Sequence, residues 1–162
     1  MNQQRDTRRR EGGRGRAPAA PSEFEQKMLD MRRVTRVVAG GKRFNFSILL
    51  AIGDKKGRVG LGLGKSMDTQ MAIAKAFRHA KKNIIKIALT KNNSISFDTM
   101  AKYGSARVFL RPNRGRGIVA GSVVRDILNL GGVHDITSKI LSGTKNKLNI
   151  SRATLAALSK LS

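Results

Sequence analysis

The chain contains no cysteine and no tryptophan in 162 residues. Without thiols there is no disulfide, no zinc–thiolate centre and no cysteine nucleophile, which fits a reducing compartment. Acidic residues are scarce: ten Asp and Glu stand against 33 Lys and Arg. From Met31 onward the only acids are Asp54, Asp68, Asp98, Asp126 and Asp135, with no glutamate. So thin a scatter offers no identifiable carboxylate pair for acid–base chemistry. The histidines, His79 and His134, have no companion cysteine and no metal-ligand spacing. His79 reads as an RNA-facing or solvent residue, and His134 as the start of a strand.

No apolar run approaches the roughly 18 to 20 residues of a membrane span, and the N-terminus lacks the apolar core of a secretory signal. Gly12, Gly13, Gly15 and Pro18 argue against an amphipathic transit helix there. Aromatic residues make up 4% of the chain: Phe24, Phe44, Phe46, Phe77, Phe97, Tyr103 and Phe109. Most fall at positions a core would use. Only Phe44 and Phe46, on one side of a strand, are candidates for stacking bases, and core packing is the better reading. Duplex and backbone recognition is therefore favoured over base stacking.

What the chain does have is positive charge. Its formal net charge is +23, an excess that destabilises a compact monomer through self-repulsion and calls for a permanent counter-charge. Nucleic acid is the leading candidate. The charge belongs to the body as well as to the tail, with 26 Lys and Arg from Met31 onward. With 40% hydrophobic residues, most of the chain should fold.

Residues 1–22 carry Arg8-Arg9-Arg10, a Gly-Gly-Arg-Gly-Arg run and Ala-Pro-Ala-Ala-Pro. They read as a disordered basic tail that orders against phosphate or simply solubilises. A first unit, 23–91, should open with a short helix, because Ser22 precedes Glu23-Phe24-Glu25-Gln26 in a capping pattern. Phe24, Met28 and Leu29 (or Met31) would form its apolar stripe. Strands follow at Thr35–Ala39, Phe44–Ile52 and Arg58–Leu63, then a helix from an Asp68 cap to about Leu89. Met71, Ala74, Phe77, Ala80, Ile84, Ile87 and Ala88 would line its apolar side, with Lys75, Arg78, Lys82 and Lys86 opposite. This α-β-β-β-α order is that of a double-stranded-RNA-binding domain.

After Lys91-Asn92-Asn93-Ser94 comes a second unit, 92–162, with strands at Ser94–Phe97 and Ala106–Leu110. A helix over about Ala120–Leu130 ends at Gly131-Gly132, a strand covers Val133–Leu141, and Asn149 caps a helix over Ser151–Leu161. This is a small β-β-α-β-α layer, so the whole chain is α+β.

Glycine and cations alternate at the turns. Gly40-Gly41-Lys42-Arg43-Phe44, Lys55-Lys56 with Arg58, and Gly64-Lys65 suit backbone lying close to a polyanion. Lys75, Arg78 and Lys82 add a helical face, and Arg114 and Arg116 a second basic loop. That loop, Arg111–Ser122, opens a helix whose amides could hold an anion, much as in the galactokinase-like kinases. It contains no acid to hold magnesium, however, and the nearest, Asp126, lies on the following helix. No enzyme and no cofactor are expected.

Several of these runs occur in the order of one family. They are RVTRVVAGGKRFNFSILLAIGDKKGRVGLGLGKS, AIAKAFRHAKKNI, GSARVFLRP, GRGIVAGSVVRDIL, GGVHDITSKILSGT and NISRATLAALSKL. Over Phe24 to Leu161 the chain resembles the fifth protein of the small ribosomal subunit, bacterial type. The resemblance implies a non-enzymatic ribosomal protein in the cytoplasm that binds small-subunit rRNA, touches ribosomal proteins S-four and S-eight, helps shape the mRNA entrance and supports decoding accuracy. It also implies that Gly40–Phe44 reach rRNA, that Lys55, Lys56, Arg58 and Lys65 lie near RNA, and that Gly117 and Arg125 lie near S-four. The chain departs from the family in three ways. The 112–117 loop is shorter and more basic than the common form, Lys147 replaces a usual proline, and no C-terminal extension follows Ser162. The alternative from another class is a free-standing duplex-RNA chaperone or regulator.

Overall fold

The computed structural model describes residues 23–90 and 92–161. The basic tail, the Ser22 cap and Lys91 lie outside the described residues. In the first half, strands β1 (Glu25–Val38), β2 (Gly41–Gly53) and β3 (Arg58–Ser66) precede helix α1 (Thr69–Lys82) and a short strand β4 (Ile84–Lys86). These strands form one antiparallel sheet in the order β1-β2-β3-β4. The second half comprises β5 (Thr99–Tyr103), β6 (Ala106–Pro112), β7 (Ile118–Val119), α2 (Ser122–Gly131), β8 (Ile136–Ile140) and α3 (Lys147–Ser159). Its sheet runs β5-β6-β8-β7, with β7 parallel to β8. The α+β architecture expected from the sequence is present in both halves.

Four elements differ from expectation. The segment after Ser22 is strand β1 rather than a helix. Buried β2 needs a partner on its second edge, and β1 supplies it from Glu25 opposite Gly53 to Val38 opposite Gly41. A bulge between Met28 and Asp30 shifts the alternation, which gave Phe24, Met28 and Leu29 their helix-like spacing. Helix α1 stops at Lys82, because Ile84–Lys86 leave it to pair with Arg58–Gly60 on the edge of β3. Ser94 makes only an isolated bridge to Asp135, and the expected strand there begins instead at Thr99. The last helix starts earlier, with the Asn146 side chain accepting from the Leu148 amide, while Asn149 reaches across to Ser105.

The packing of α1 on its sheet is set by two columns of small residues. Gly60, Gly62 and Gly64 alternate along β3 and face Ala72, Ala76 and Ala80, which recur every fourth residue on the helix. A Cβ built on Gly62 would lie 2.0 Å from the Ala76 carbonyl oxygen, and one on Gly64 would lie 2.2 Å from that of Ala72. The helix therefore rests on backbone, and the residues it buries are Ala72, Ala76 and Ala80. Of the expected stripe Ala80 is buried and Phe77 packs at the margin of the core, whereas Met71 and Ala74 are exposed. Met71 is 56% exposed.

The second half of β2, residues 48–53, is buried on both faces. Leu50 and Ile52 pack toward α1 with Phe24, Ala76 and Ala80, whereas Leu49 and Ala51 point the other way. There they join Val59 and Leu61 in a core completed by Val123, Val124, Ile127 and Leu128 of α2 and by residues of α3. The backs of the two sheets thus share one core. Backbone bonds tie the halves as well: the Lys55 amide donates to the Leu130 carbonyl and the Gly57 amide to that of Gly131. Gly132 ends α2 with φ of 74°, and a Cβ there would strike the Lys55 carbonyl.

Candidate nucleic-acid interface

Strands β1 and β2 outrun the rest of their sheet. β3 pairs with β2 only as far as Phe46 opposite Ser66, so Val34–Val38 and Gly41–Asn45 continue as a two-stranded ribbon closed at Ala39-Gly40. Nothing lies within 4 Å of a Cβ built at Gly40 or Gly41, and Gly41 has φ of 127°. The ribbon is cationic along its length: Arg33, Arg36, Lys42 and Arg43 are all exposed. Arg36 pairs directly with Arg43, a like-charge rung that is unfavourable in isolation. The Arg33 guanidinium lies 3.8 Å from the centroid of the Phe44 ring, which is 40% exposed. Sequence reasoning picked out the glycine turn and Phe44 but missed Arg33 and Arg36. The clustering of Arg32, Arg33 and Arg36 on β1 is the signal that could have found them.

The base of the ribbon is anchored by the second half. The Leu29 carbonyl at the bulge accepts a 3.1 Å hydrogen bond from Lys147 Nζ, which also lies 3.5 Å from Asp30. Arg32 Nε donates to Asp30 at 2.6 Å. Burial by itself would raise the Asp30 pKa, but Arg32 and Lys147 together hold it below the ordinary carboxylate value. Lys147 thus fixes where the ribbon leaves the body.

The turn between β2 and β3 is organised by Asp54. Its Oδ1 accepts from the Lys56 and Arg58 amides and its Oδ2 from Arg58 Nε at 2.6 Å. Desolvation opposes the charge on this nearly buried carboxylate, yet Arg58 and the two amides outweigh it and lower the pKa. Arg58 also binds Glu23 at 2.9 Å and lies over the Phe24 ring, and these carboxylates hold its pKa above the usual guanidinium value. Of the three cations expected here, Arg58 is engaged by protein carboxylates, Lys55 is paired with Glu25 at 2.7 Å, and Lys56 is exposed.

Helix α1 turns Lys75, Arg78 and Lys82 outward, opposite its alanine column, with Lys81 beside them. Lys75 Nζ reaches the Lys65 carbonyl at 3.5 Å, which brings the Gly64-Lys65 end of β3 next to this face. Lys81 sits 4.9 Å from the centroid of the Phe77 ring. His79 lies 3.3 Å from the Asn83 side chain at the helix end.

Arg114 and Arg116 are exposed on the loop before α2, far along the chain from the ribbon and α1. The Asn113 amide group donates to the Gly117 carbonyl and to Thr137, and Asp135 accepts from the Gly117 amide. Gly115 and Gly117 take φ of 70° and 66°. Arg125 is exposed on the first turn of α2. That helix has Gly121 at its N-cap and no side-chain cap.

Among the described residues no three His, Cys, Asp or Glu side chains are placed to hold a metal, and no helix is long and apolar enough to cross a membrane. A cleft of about 430 Å³ between the halves contains Glu25, Lys27, Lys55, Asp126 and His134. Its carboxylates are tied to lysines, Lys27 to Asp126 at 2.8 Å and Lys55 to Glu25 at 2.7 Å.

Two family models match the chain: ribosomal protein S5, N-terminal domain, over residues 24–88, and ribosomal protein S5, C-terminal domain, over residues 101–162. Similar proteins include a small ribosomal subunit protein uS5 of Fusobacterium nucleatum. It is 45% identical over 141 residues, spanning 86% of this chain and 85% of that protein. The uS5 protein of a Hydrogenobaculum strain is 42% identical over 162 residues, 99% of this chain and 84% of that one. That of Thermus thermophilus is 42% identical over 141 residues, covering 86% of each.

Proposed function

The chain belongs to the ribosomal protein S5 family, and from that premise we propose that it is a structural, non-catalytic protein of the small ribosomal subunit that grips rRNA along two cationic surfaces. One surface is the β1–β2 ribbon with Gly40, Gly41, Lys42, Arg43 and Phe44. The other is the outer face of α1, where Lys75, Arg78 and Lys82 stand beside Lys65. The observation that carries the reading is the Arg36–Arg43 rung. Two guanidinium groups facing each other on an otherwise unsupported ribbon are best explained by an anion lying across them. Phosphate contacts of this kind position a protein on RNA without reading its sequence.

The remaining basic positions follow the same logic. Lys55, Lys56 and Arg58 give the second turn a cationic rim, and Arg114 and Arg116 do so for the loop before α2. Gly117 and Arg125 border that loop and are assigned to a protein neighbour, S-four, with S-eight as a second neighbour. In this role the chain sits in cytoplasmic ribosomes near the mRNA entrance. Loosening the Gly117–Arg125 contact would alter the balance between subunit conformations and hence decoding accuracy.

Chemical footprinting of small subunits assembled with the wild-type chain or with Arg36→Gln/Arg43→Gln tests the first surface. Protection of a discrete rRNA segment that disappears with the double variant is expected. Identical footprints would remove the ribbon from the interface. Sedimentation decides against a free-standing chaperone: the chain should co-migrate with small subunits in fixed ratio, leaving no large unbound pool.

A further inference from the structure

The second sheet covers its inner face with α2 and α3 and leaves its outer face bare. Alternation along β5, β6 and β8 sends Ala101, Val108, Leu110 and Ile136 inward and their neighbours outward. The registers arrange the outward residues in three cross-strand rows. Lys102 faces Arg107 in the first. Met100, Phe109 and Lys139 lie side by side in the second. Arg111, Thr137 and Val119 form the third. The last row runs into a cleft of about 390 Å³ walled by Arg111, Pro112, Asn113, Arg114, Arg116 and Thr137. Asp98 lies 3.8 Å from Arg111, and Asp135 accepts from the Gly117 amide of the adjoining loop.

Phe109 is the centre of the arrangement. Sequence reasoning placed it in a core, but it lies half-buried on the outer side of a central strand, between Met100 on the edge strand and Lys139 on the other central strand. A flat ring on an open sheet, with cations on the rows above and below, offers a stacking surface and phosphate contacts at once. Those are the features by which sheets hold unpaired bases. A protein partner would have to bring acidic side chains to nearly every row, whereas a nucleic-acid strand carries its anions at regular intervals.

We infer that the outer face of the β5-β6-β8-β7 sheet binds single-stranded RNA, with a base stacked on Phe109 and the backbone held by Lys102, Arg107, Arg111 and Lys139. The inference rests on the reading of the chain as an RNA-bound ribosomal protein. It adds a surface on the opposite half from the ribbon and α1, and one that recognises unpaired rather than duplex RNA. Strands of ribosomal or messenger origin share this chemistry.

The chain lacks tryptophan, so Phe109→Trp in the full-length protein places a single fluorescent reporter on the sheet. A short oligouridylate should quench the introduced indole, and a duplex of equal length bound through the ribbon and α1 should not. Phe109→Leu should weaken oligouridylate binding about ten-fold while leaving duplex binding unchanged. Indole fluorescence indifferent to oligouridylate overturns the inference. In small subunits assembled with a photo-crosslinking phenylalanine at position 109, adducts to rRNA or to a bound message support it and tell the sources apart. Adducts to a protein overturn it in favour of a protein-docking face. If the variants enter small subunits normally but the sheet is silent, only this inference fails. If the wild-type chain does not enter them, the ribosomal reading fails first.

Discussion

Arg36 and Arg43 stand directly opposite one another on the two strands of the β1–β2 ribbon, beyond the point where β3 supports it. In the free protein the rung is a repulsion, which the proposed phosphate contact would relieve. Arg36→Gln should leave the stability of the free chain unchanged or slightly raised. It should also weaken binding to an rRNA fragment and reduce the slope of log affinity against log salt by about one. Urea denaturation and a salt series of binding titrations check the two halves of this statement. A stability loss with an unchanged slope would mean that Arg36 holds the ribbon together.

The contact between α1 and β3 tolerates no added carbon. Gly62→Ala places a methyl group 2.0 Å from the Ala76 carbonyl oxygen, so helix and strand must separate, at a cost of about 3 kcal/mol or more. Gly143→Ala, where nothing lies within 4 Å, should be nearly silent. Equilibrium urea unfolding of the two variants side by side provides the comparison.

Asp54 links stability to pH. Its folded pKa is lowered, so the stabilisation it gives is fully present above the ordinary carboxylate pKa. It is then lost as pH falls from there through the lower folded value. Asp30, lowered by Arg32 and Lys147, acts in the same sense. Asp54→Asn should cost about 1–3 kcal/mol at neutral pH, through loss of the charged acceptor of two amides and a guanidinium. It should also flatten the stability profile below about pH 4. Urea midpoints measured from neutral pH down into the acid range test this.

Lys147→Met keeps the length of the side chain but removes the ammonium group from the Leu29 carbonyl and from Asp30. With the lysine partly exposed, the global loss should be no more than about 1 kcal/mol. The local effect should be larger: amides flanking the bulge should exchange faster, and RNA affinity should fall because the ribbon no longer leaves the body in a fixed direction. Hydrogen exchange resolved along β1 separates the local effect from the global one.

What the sequence disclosed and what it hid follow from the range of the interactions involved. β2 and β3 were legible because apolar and glycine residues mark their own span. Gly131-Gly132 was legible as a helix stop because the left-handed φ at Gly132 calls for glycine locally. The end of β1 was expected as a strand at Thr35–Ala39, but its beginning was hidden, because a bulge broke its alternation and its only reason to be extended is an edge of β2 many residues away. The end of α1 was hidden likewise: Ile84 and Ile87 fit helical spacing, and only the open edge of β3 draws this segment off. On the proposed interface, the turns were picked out by glycine beside lysine or arginine. The sequence could not reveal that Arg58 would be taken by Asp54 and Glu23, or that Phe109 would face outward. Both depend on strand pairing.

The common core behind the two sheets has a temporal consequence for the growing polypeptide. Until α2 has been synthesised, Leu49, Ala51 and Leu61 lack the larger part of the core that covers them, and the turn at Lys55 and Gly57 lacks the carbonyls of Leu130 and Gly131. A nascent chain halted at Leu89 therefore holds every residue of the first sheet and only one of the two cores that its second strand joins. Its arginine ribbon gains a firm footing late in translation, when the last helix delivers Lys147 to the bulge.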